Sequence, residues 1–281
     1  MINFNGELVE NNTLFLNEEN RGLRYGDSLF ESIRVVNGKI YFWEDHYLRL
    51  MASMRILRME IPMNFTMEYL EEQILETINA DNLQNNAVRI RLTVFRKNGG
   101  LYLPTTNNVS FIMETKVLEN AFYIHSDEAY EVELFKDHYV NSGLLSTLKS
   151  NNKIINVLGS IYAKENGYSN CLLLNNQKQV VEALNGNLFL VKGDTIKTPP
   201  LKDGCLNGIT RKKLIASLEK LENYSLEEAS ISPFELQKAD ELFVTNVITG
   251  IQSITKYRKK EFTNTVAKDL LGKLNAVARL S

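Results

Sequence analysis

Apolar positions recur at helical spacing twice in the first third of the chain. Residues 44–57 set Leu48, Met51, Met54 and Leu57 on one stripe, and residues 67–79 set Leu70, Ile74, Leu75 and Ile78 on another. Each stretch therefore predicts an amphipathic helix. Short β-like runs precede them at 7–15, 30–36 and 40–43. Two longer strands follow at 87–95 and 108–115, separated by the turn-rich Arg96-Lys97-Asn98-Gly99-Gly100. Past a connection around 115–121, a helix is predicted over 153–166 with Gly167 as its stop. Short apolar strands at 171–174 and 188–191, a helix from Ile209 through Leu221, a strand at 242–244 and a closing helix over 266–278 complete the pattern. Strands and helices interleave in both halves. The fold class is α+β, with α/β as the other arrangement the pattern allows.

The chain has 281 residues, 44% apolar and 23% charged, the profile of a globular protein with room for one large domain or two ordinary ones. Thirty-two Lys and Arg stand against thirty-four Asp and Glu, so the basic excess of a nucleic-acid binder is missing. The start, Met1-Ile2-Asn3-Phe4-Asn5-Gly6-Glu7, does not read as a secretory signal, and no run of about eighteen uninterrupted apolar residues predicts a membrane span. Cys171 and Cys205 stand far apart without metal-ligand spacing. They predict two reduced, partly buried thiols, no metal site and a cytoplasmic setting.

Five separated features carry candidate chemistry. Arg21-Gly22-Leu23-Arg24-Tyr25-Gly26-Asp27-Ser28-Leu29-Phe30-Glu31 puts two glycines in a polar turn at a strand entrance. His46-Tyr47-Leu48-Arg49 sets His46 and Arg49 three apart on one helix face. His46 reads as a solvated surface residue, whereas the Arg49 guanidinium suits a phosphate dianion. Leu145-Ser146-Thr147-Leu148-Lys149-Ser150-Asn151-Asn152-Lys153 places a lysine after an apolar, hydroxyl-rich stretch. A desolvated lysine has a lowered pKa and can condense with an aldehyde. Val180-Val181-Glu182-Ala183-Leu184-Asn185-Gly186 puts an acid at an apolar strand end, which is costly without a positive partner such as a protonated pyridine nitrogen. Gly204-Cys205-Leu206-Asn207-Gly208-Ile209-Thr210-Arg211 runs a glycine turn into a helix, whose free amides suit a phosphate.

Together these residues resemble the class IV aminotransferases, the family of branched-chain aminotransferases, D-amino acid aminotransferases and 4-amino-4-deoxychorismate lyase. The match runs from about Leu8 to Ile254 and also takes in Thr198-Pro199-Pro200-Leu201 and the run from Ala239 to Asn246. The resemblance implies the two-domain fold type IV architecture of pyridoxal-phosphate enzymes, like that of D-amino acid aminotransferase. It implies an N-terminal α+β domain over 1–116, a cofactor-binding domain over 121–281, the cofactor in the cleft between them, and a homodimer. It further implies pyridoxal 5'-phosphate as the cofactor, held as an imine by Lys149. Lys153 competes for that part, because Lys-Ile-Ile-Asn156 has the same Lys-x-x-Asn pattern as Lys149-Ser150-Asn151-Asn152. Lys149 is preferred because the following helix, Gly167 and the Cys171 strand then fall at the family's distances, and because Lys153 would lie inside the helix start, where exposure to solvent is expected.

By the same resemblance Glu182 pairs with the pyridine nitrogen and keeps it protonated. Arg49 and the backbone amides of Ile209 and Thr210 hold the phosphate, and Asn185 joins the cofactor contacts. The chain departs from the family where Ala183-Leu184-Asn185-Gly186 follows the glutamate and where Asn246-Val247-Ile248 follows Thr245. Arg91 and Arg96, on the strand and turn that should line the substrate side, are expected to bind substrate; charged positions on a sheet surface are the other reading. The implied reaction is amino transfer between an amino acid, of branched-chain type, and a 2-oxo acid, with Lys149 as nucleophile and then acid–base. The alternative is the lyase, which uses the same lysine to release pyruvate from aminodeoxychorismate. Gly99-Gly100-Leu101-Tyr102 resembles the lyases, although Leu101 stands where they often carry arginine. A cofactor-binding or regulatory protein without turnover is the third reading, opposed by the joint presence of Lys149, Glu182 and Arg49.

Overall fold

A computed structural model of the protein describes residues 1–14 and 16–281. The chain divides into two compact units. One is Met1–Ala121 with Lys149–Asn152 and Ser281; the other is Phe122–Leu148 with Lys153–Leu280. The sequence reading divides the chain at 116–121 and puts Lys149 in the second half, whereas Lys149–Asn152 group with the first unit.

The first unit holds β1 (Ile2–Phe4), β2 (Glu7–Val9), α1 (Arg21–Tyr25), β3 (Ser28–Val36), β4 (Lys39–Ile40), α2 (Trp43–Ile56), α3 (Met67–Ala80), β5 (Ala87–Arg96) and β6 (Val109–Leu118). Its strands form one sheet in the order β2-β1-β6-β5-β3-β4, antiparallel at every pairing. Along β5 the side chains of Val88, Ile90, Leu92 and Val94 are buried while Arg89, Arg91 and Thr93 are half-buried, the period-2 alternation of a sheet with one core face. Helix α3 packs on β6 and α2 on β3.

Helix α3 starts where Thr66 accepts the Tyr69 amide, a side-chain N-cap. It buries Leu70, Ile74 and Ile78 as its stripe predicts. Helix α2 is turned from its expected face. It buries Trp43, His46, Leu50, Met51, Ser53 and Met54, and Leu48 is exposed. The expectation of a solvated His46 is therefore overturned: the imidazole is driven inward because a carboxylate on β3, Glu31, meets it there.

The glycine-containing turn at 21–27 is a short helix. Asn20 caps it and Gly26 ends it with φ 62°, the left-handed geometry that favours glycine. A Cβ on Gly26 would stand 2.1 Å from Asn152 Oδ1, so a larger residue here would displace that side chain of the lysine-bearing segment. Of the strand expected over 7–15, Glu7–Val9 is formed and Phe15 lies outside the described residues.

The second unit holds β7 (Glu131–Val140), α4 (Ile154–Glu165), β8 (Asn170–Asn175), β9 (Val180–Ala183), β10 (Gly186–Lys192), β11 (Thr195–Thr198), α5 (Ile209–Leu218), β12 (Ser225–Glu228), α6 (Pro233–Leu236), β13 (Glu241–Asn246), β14 (Gly250–Ile254), β15 (Lys256–Tyr257), β16 (Lys260–Glu261) and α7 (Thr265–Leu280). Its mixed sheet runs β12-β11-β10-β9-β8-β7-β15-β16, and β13 pairs with both β10 and β14. All six residues of β8 are buried, as expected for a strand with both faces covered. On one face Leu172 and Leu174 join a core with Leu188, Leu242 and Tyr257. On the other, Cys171 and Leu173 pack with Phe135, Ala163, Val181 and Cys205. The architecture is α+β, and among the described residues no helix is long and apolar enough to cross a membrane.

Candidate active site

The segment around Lys149 is stitched to the start of β3. Phe30 donates its amide to the Lys149 carbonyl at 2.8 Å, Asn151 donates to the Ser28 carbonyl at 3.1 Å, and Ser150 pairs with Leu29. This fixes the backbone on both sides of the lysine. The half-buried side chain brings Nζ to 4.3 Å from the centre of the Phe30 ring, within range of a cation–π contact. Arg91 approaches the same ring at 3.9 Å and donates to Asn151 Oδ1 at 3.1 Å. Lys149 and Arg91 thus meet at one aromatic ring. Lys153, the competing lysine, stands at the N-terminal boundary of α4 and is half-buried as well, so burial does not separate the two.

Arg49 reaches inward to Glu31. Its Nε donates to Oε1 at 2.8 Å and Nη2 to Oε2, the two-point grip that a guanidinium fork gives a carboxylate. His46 Nδ1 lies 2.7 Å from the same Oε2. Glu31 is 2% exposed and His46 0%. Burial alone would raise the Glu31 carboxyl, but the Arg49 charge and the hydrogen bonds from His46 and Arg49 outweigh it and hold its pKa down to about 2. His46 is shifted down, first by burial, against the opposing pull of Glu31. It is therefore neutral at pH 7, donating from Nδ1 and leaving Nε2 buried without a partner.

Arg96 is placed differently from Arg91. It is buried and donates to Asp27 Oδ2, Asn107 Oδ1, and the carbonyls of Leu57 and Arg58. These contacts tie the end of β5 to the end of α2. Asp27 is shared with Arg21, whose Nη1 reaches the carbonyls of Gly99 and Leu101.

In the second unit the central feature is a row across three neighbouring strands. Glu182 on β9 stands opposite Asn187 on β10, and Asn187 stands opposite Thr245 on β13. Directly opposed residues share a face, so the three polar side chains line up. The 205–208 segment crosses this row. The Leu206 amide donates to Glu182 Oε2 at 2.9 Å, and Asn187 Nδ2 donates to the Leu206 carbonyl at 2.8 Å. A Cβ on Gly208 would fall 2.0 Å from Asn187 Oδ1, so glycine permits the close approach.

Gly208 then opens α5, which has no side-chain cap. Its first backbone bond runs from the Lys212 amide to the Gly208 carbonyl, which leaves the Ile209 and Thr210 amides without partners inside the helix. Thr210 and Thr245, each 1% exposed, have Oγ1 atoms with no partner. Buried hydroxyls are normally paired. An anion at this corner would answer both them and the helix amides. Arg211 holds α5 from behind, donating to the Pro199 carbonyl and to Glu228.

Glu182, Ile209 and Thr210 are thus gathered at one corner of the second unit. Asn185 points elsewhere: it lies exposed in the β9–β10 turn and accepts from Asn170 Nδ2 at 2.8 Å. Sequence reasoning missed Asn187 two residues on, whose part depends on strand register and on Gly208. After Thr245, the amides of Ile248 and Thr249 donate to Asn246 Oδ1. Cys205, beside Glu182, has its thiol pushed up to about 12 by burial and then by that carboxylate. Among the described residues no cluster of His, Cys, Asp or Glu could hold a metal ion.

Residues 28–257 match the family described as amino-transferase class IV. The chain belongs to the class IV aminotransferases. It is 30% identical over 280 residues to a Methanocaldococcus jannaschii protein provisionally named a branched-chain-amino-acid aminotransferase, covering 97% of this chain and 93% of that one. It is 29% identical over 263 residues to the D-alanine aminotransferase of Listeria monocytogenes, covering 89% and 85%. The fold superposes on 4-amino-4-deoxychorismate lyase from Pseudomonas aeruginosa with a TM-score of 0.84 at 24% identity, covering 98% of each chain. Class IV aminotransferases are pyridoxal-phosphate enzymes acting on amino acids and keto acids, and these relatives span three activities. A cofactor with a phosphate and a ring nitrogen suits the residues present. The uncapped α5 start and the two orphan threonine hydroxyls offer donors to a phosphate, and Glu182 offers a buried carboxylate to a ring cation.

Proposed function

We propose that this class IV aminotransferase uses pyridoxal 5'-phosphate to move an amino group between a branched-chain type amino acid and a 2-oxo acid. The observation that carries the reading is the Lys149 amine held against Phe30 on a backbone bonded to β3. The 30% identity to the M. jannaschii protein supports the substrate class. When bound, the cofactor supplies an aldehyde for the lysine and an electron sink for the substrate. Lys149 contributes the amine and afterwards carries the proton to and from the substrate α carbon. Glu182 gives the ring nitrogen a negative partner. The Ile209 and Thr210 amides, the Thr210 and Thr245 hydroxyls and Arg49 take the phosphate. Arg91, beside the lysine on the Phe30 ring, is the arginine we assign to a substrate carboxylate, and we assign Arg96 a bracing part.

Helix α4 carries Ile154, Val157, Leu158 and Ile161 exposed at i, i+3, i+4 and i+7, an apolar stripe of the kind that packs against a partner. We assign it to a homodimer, testable by light scattering of the purified protein. The two buried free thiols suit a reducing compartment such as the cytoplasm.

The function is tested by adding the cofactor to purified protein. A visible band removed by borohydride, with the reduced adduct mapped to Lys149, supports the lysine assignment. Leucine, isoleucine or valine bleaching that band, with 2-oxoglutarate restoring it, supports the transferase reading. Preferential bleaching by D-alanine changes the substrate class, and pyruvate released from aminodeoxychorismate replaces transfer by lyase action.

A further inference from the structure

The Glu31 carboxylate, to which the proposed reaction assigns no part, is the hub of a buried cluster. Three donors converge on it: Arg49 Nε, Arg49 Nη2 and His46 Nδ1. A guanidinium gripped at two points by a carboxylate cannot rotate about its last bonds without breaking one of them. Glu31 is in turn held from a second direction by His46, which is itself fully buried. The three residues come from β3 and from one face of α2, so the cluster rests on two regular elements rather than on a loop. The charged groups around the imidazole are Glu31, Arg49 and Lys149.

We infer that Glu31 is a positioning residue that fixes the plane of the Arg49 guanidinium for an incoming phosphate monoester. The inference rests on the proposed phosphate role of Arg49. Two effects of removing the Glu31 charge oppose each other. Losing a carboxylate makes the locality more positive and would draw a phosphate dianion more strongly. Losing the two-point grip lets the guanidinium swing, so that order must be restored on binding. Positioning dominates, because Arg49 keeps its charge either way and what Glu31 adds is direction.

The test compares pyridoxamine 5'-phosphate with pyridoxamine, neither of which condenses with a lysine, by calorimetric titration of full-length protein. The ratio of their affinities isolates what the phosphate contributes. Glu31→Gln is expected to lower that ratio about tenfold, the size of effect that follows loss of an orienting neighbour, and to leave it unmoved when introduced into an Arg49→Ala background. A ratio that stays constant or rises in Glu31→Gln overturns the inference. So does an equal fall in the Arg49→Ala background, which would mean that Glu31 acts through the fold at large. If Arg49→Ala alone leaves the ratio at the wild-type value, the phosphate role of Arg49 fails and the inference fails with it. That outcome is distinct from the first two, in which the role of Arg49 survives. Should Glu31→Gln not fold, Glu31→Asp keeps the charge, shortens the reach and is expected to lower the ratio by a smaller factor. An unchanged ratio in a folded Glu31→Asp protein counts against the inference.

Discussion

Two buried carboxylates, Glu31 and Glu182, sit in different kinds of surroundings. Glu31 is met by a guanidinium and an imidazole, both of whose side chains are almost fully enclosed. Glu182 receives a backbone amide from a segment that crosses a polar row and then opens a helix, and that corner keeps two threonine hydroxyls without partners. In the first arrangement the carboxylate is answered from both sides as folded, and only His46 Nε2 is left without a partner. The second leaves donors aimed at something else. A buried charge is tolerated when its partners are built in, and a buried polar group left unanswered marks a place where a ligand can repay its cost. The N-terminal cluster therefore reads as scaffold for Arg49, and the C-terminal corner reads as a receptor for an anion.

The largest effect expected is on the lysine. Lys149→Ala should abolish the borohydride-sensitive band and with it turnover, while Lys153→Ala should spare both. Absorbance and peptide mapping decide this, and the reverse pattern would reassign the nucleophile. Next in size is Glu182→Gln, which keeps the shape of the side chain and removes its charge. If the carboxylate answers a ring cation, turnover should fall by about 10²–10³, the cost typical of losing one preorganised electrostatic partner. A fall of less than about tenfold would assign Glu182 to holding the Leu206 amide.

Glu31 gives a stability effect with a defined pH dependence. Breaking a buried ion pair by neutralising one member typically costs about 3–5 kcal/mol, so Glu31→Gln should be that much less stable in urea at pH 7. The native carboxyl titrates near 2 against an ordinary value of 4.5. Its contribution is therefore fully present above about 4.5 and is lost as pH falls toward 2. The gap between wild type and variant should narrow across that window. A gap independent of pH would mean that packing, rather than charge, is what Glu31 supplies.

Of this contrast only the Glu182 side was legible from the sequence; the Glu31 cluster was not, and the reason is physical. Helix α3 announces itself because its stripe is local. Helix α2 was found but turned, because what draws His46 inward is Glu31, fifteen residues away on β3. Lys149, Glu182 and the α5 start stood out through their order along the chain. Asn187 did not, since its value arises from pairing with both Glu182 and Thr245 and from the approach of Gly208. Arg96 looked like Arg91 on paper. Its partners, Asp27, Leu57, Arg58 and Asn107, come from three places in the chain, so only the folded arrangement separates the two arginines.

The smallest effects belong to the orphan hydroxyls, and they sharpen the contrast most. Thr210→Val and Thr245→Val each replace a hydroxyl by a methyl of nearly the same size. Where a hydroxyl has no partner in the folded protein, removing it relieves a desolvation cost, so the cofactor-free protein should be as stable as wild type or slightly more so. Where the hydroxyl donates to a bound phosphate, the same change removes one charge-assisted hydrogen bond, and cofactor affinity should fall by about tenfold. Opposite signs with and without cofactor are the signature of groups held in reserve for a ligand. Loss of stability in the cofactor-free protein would show instead that these hydroxyls already serve the fold, and the C-terminal corner would then be as fully answered as the Glu31 carboxylate.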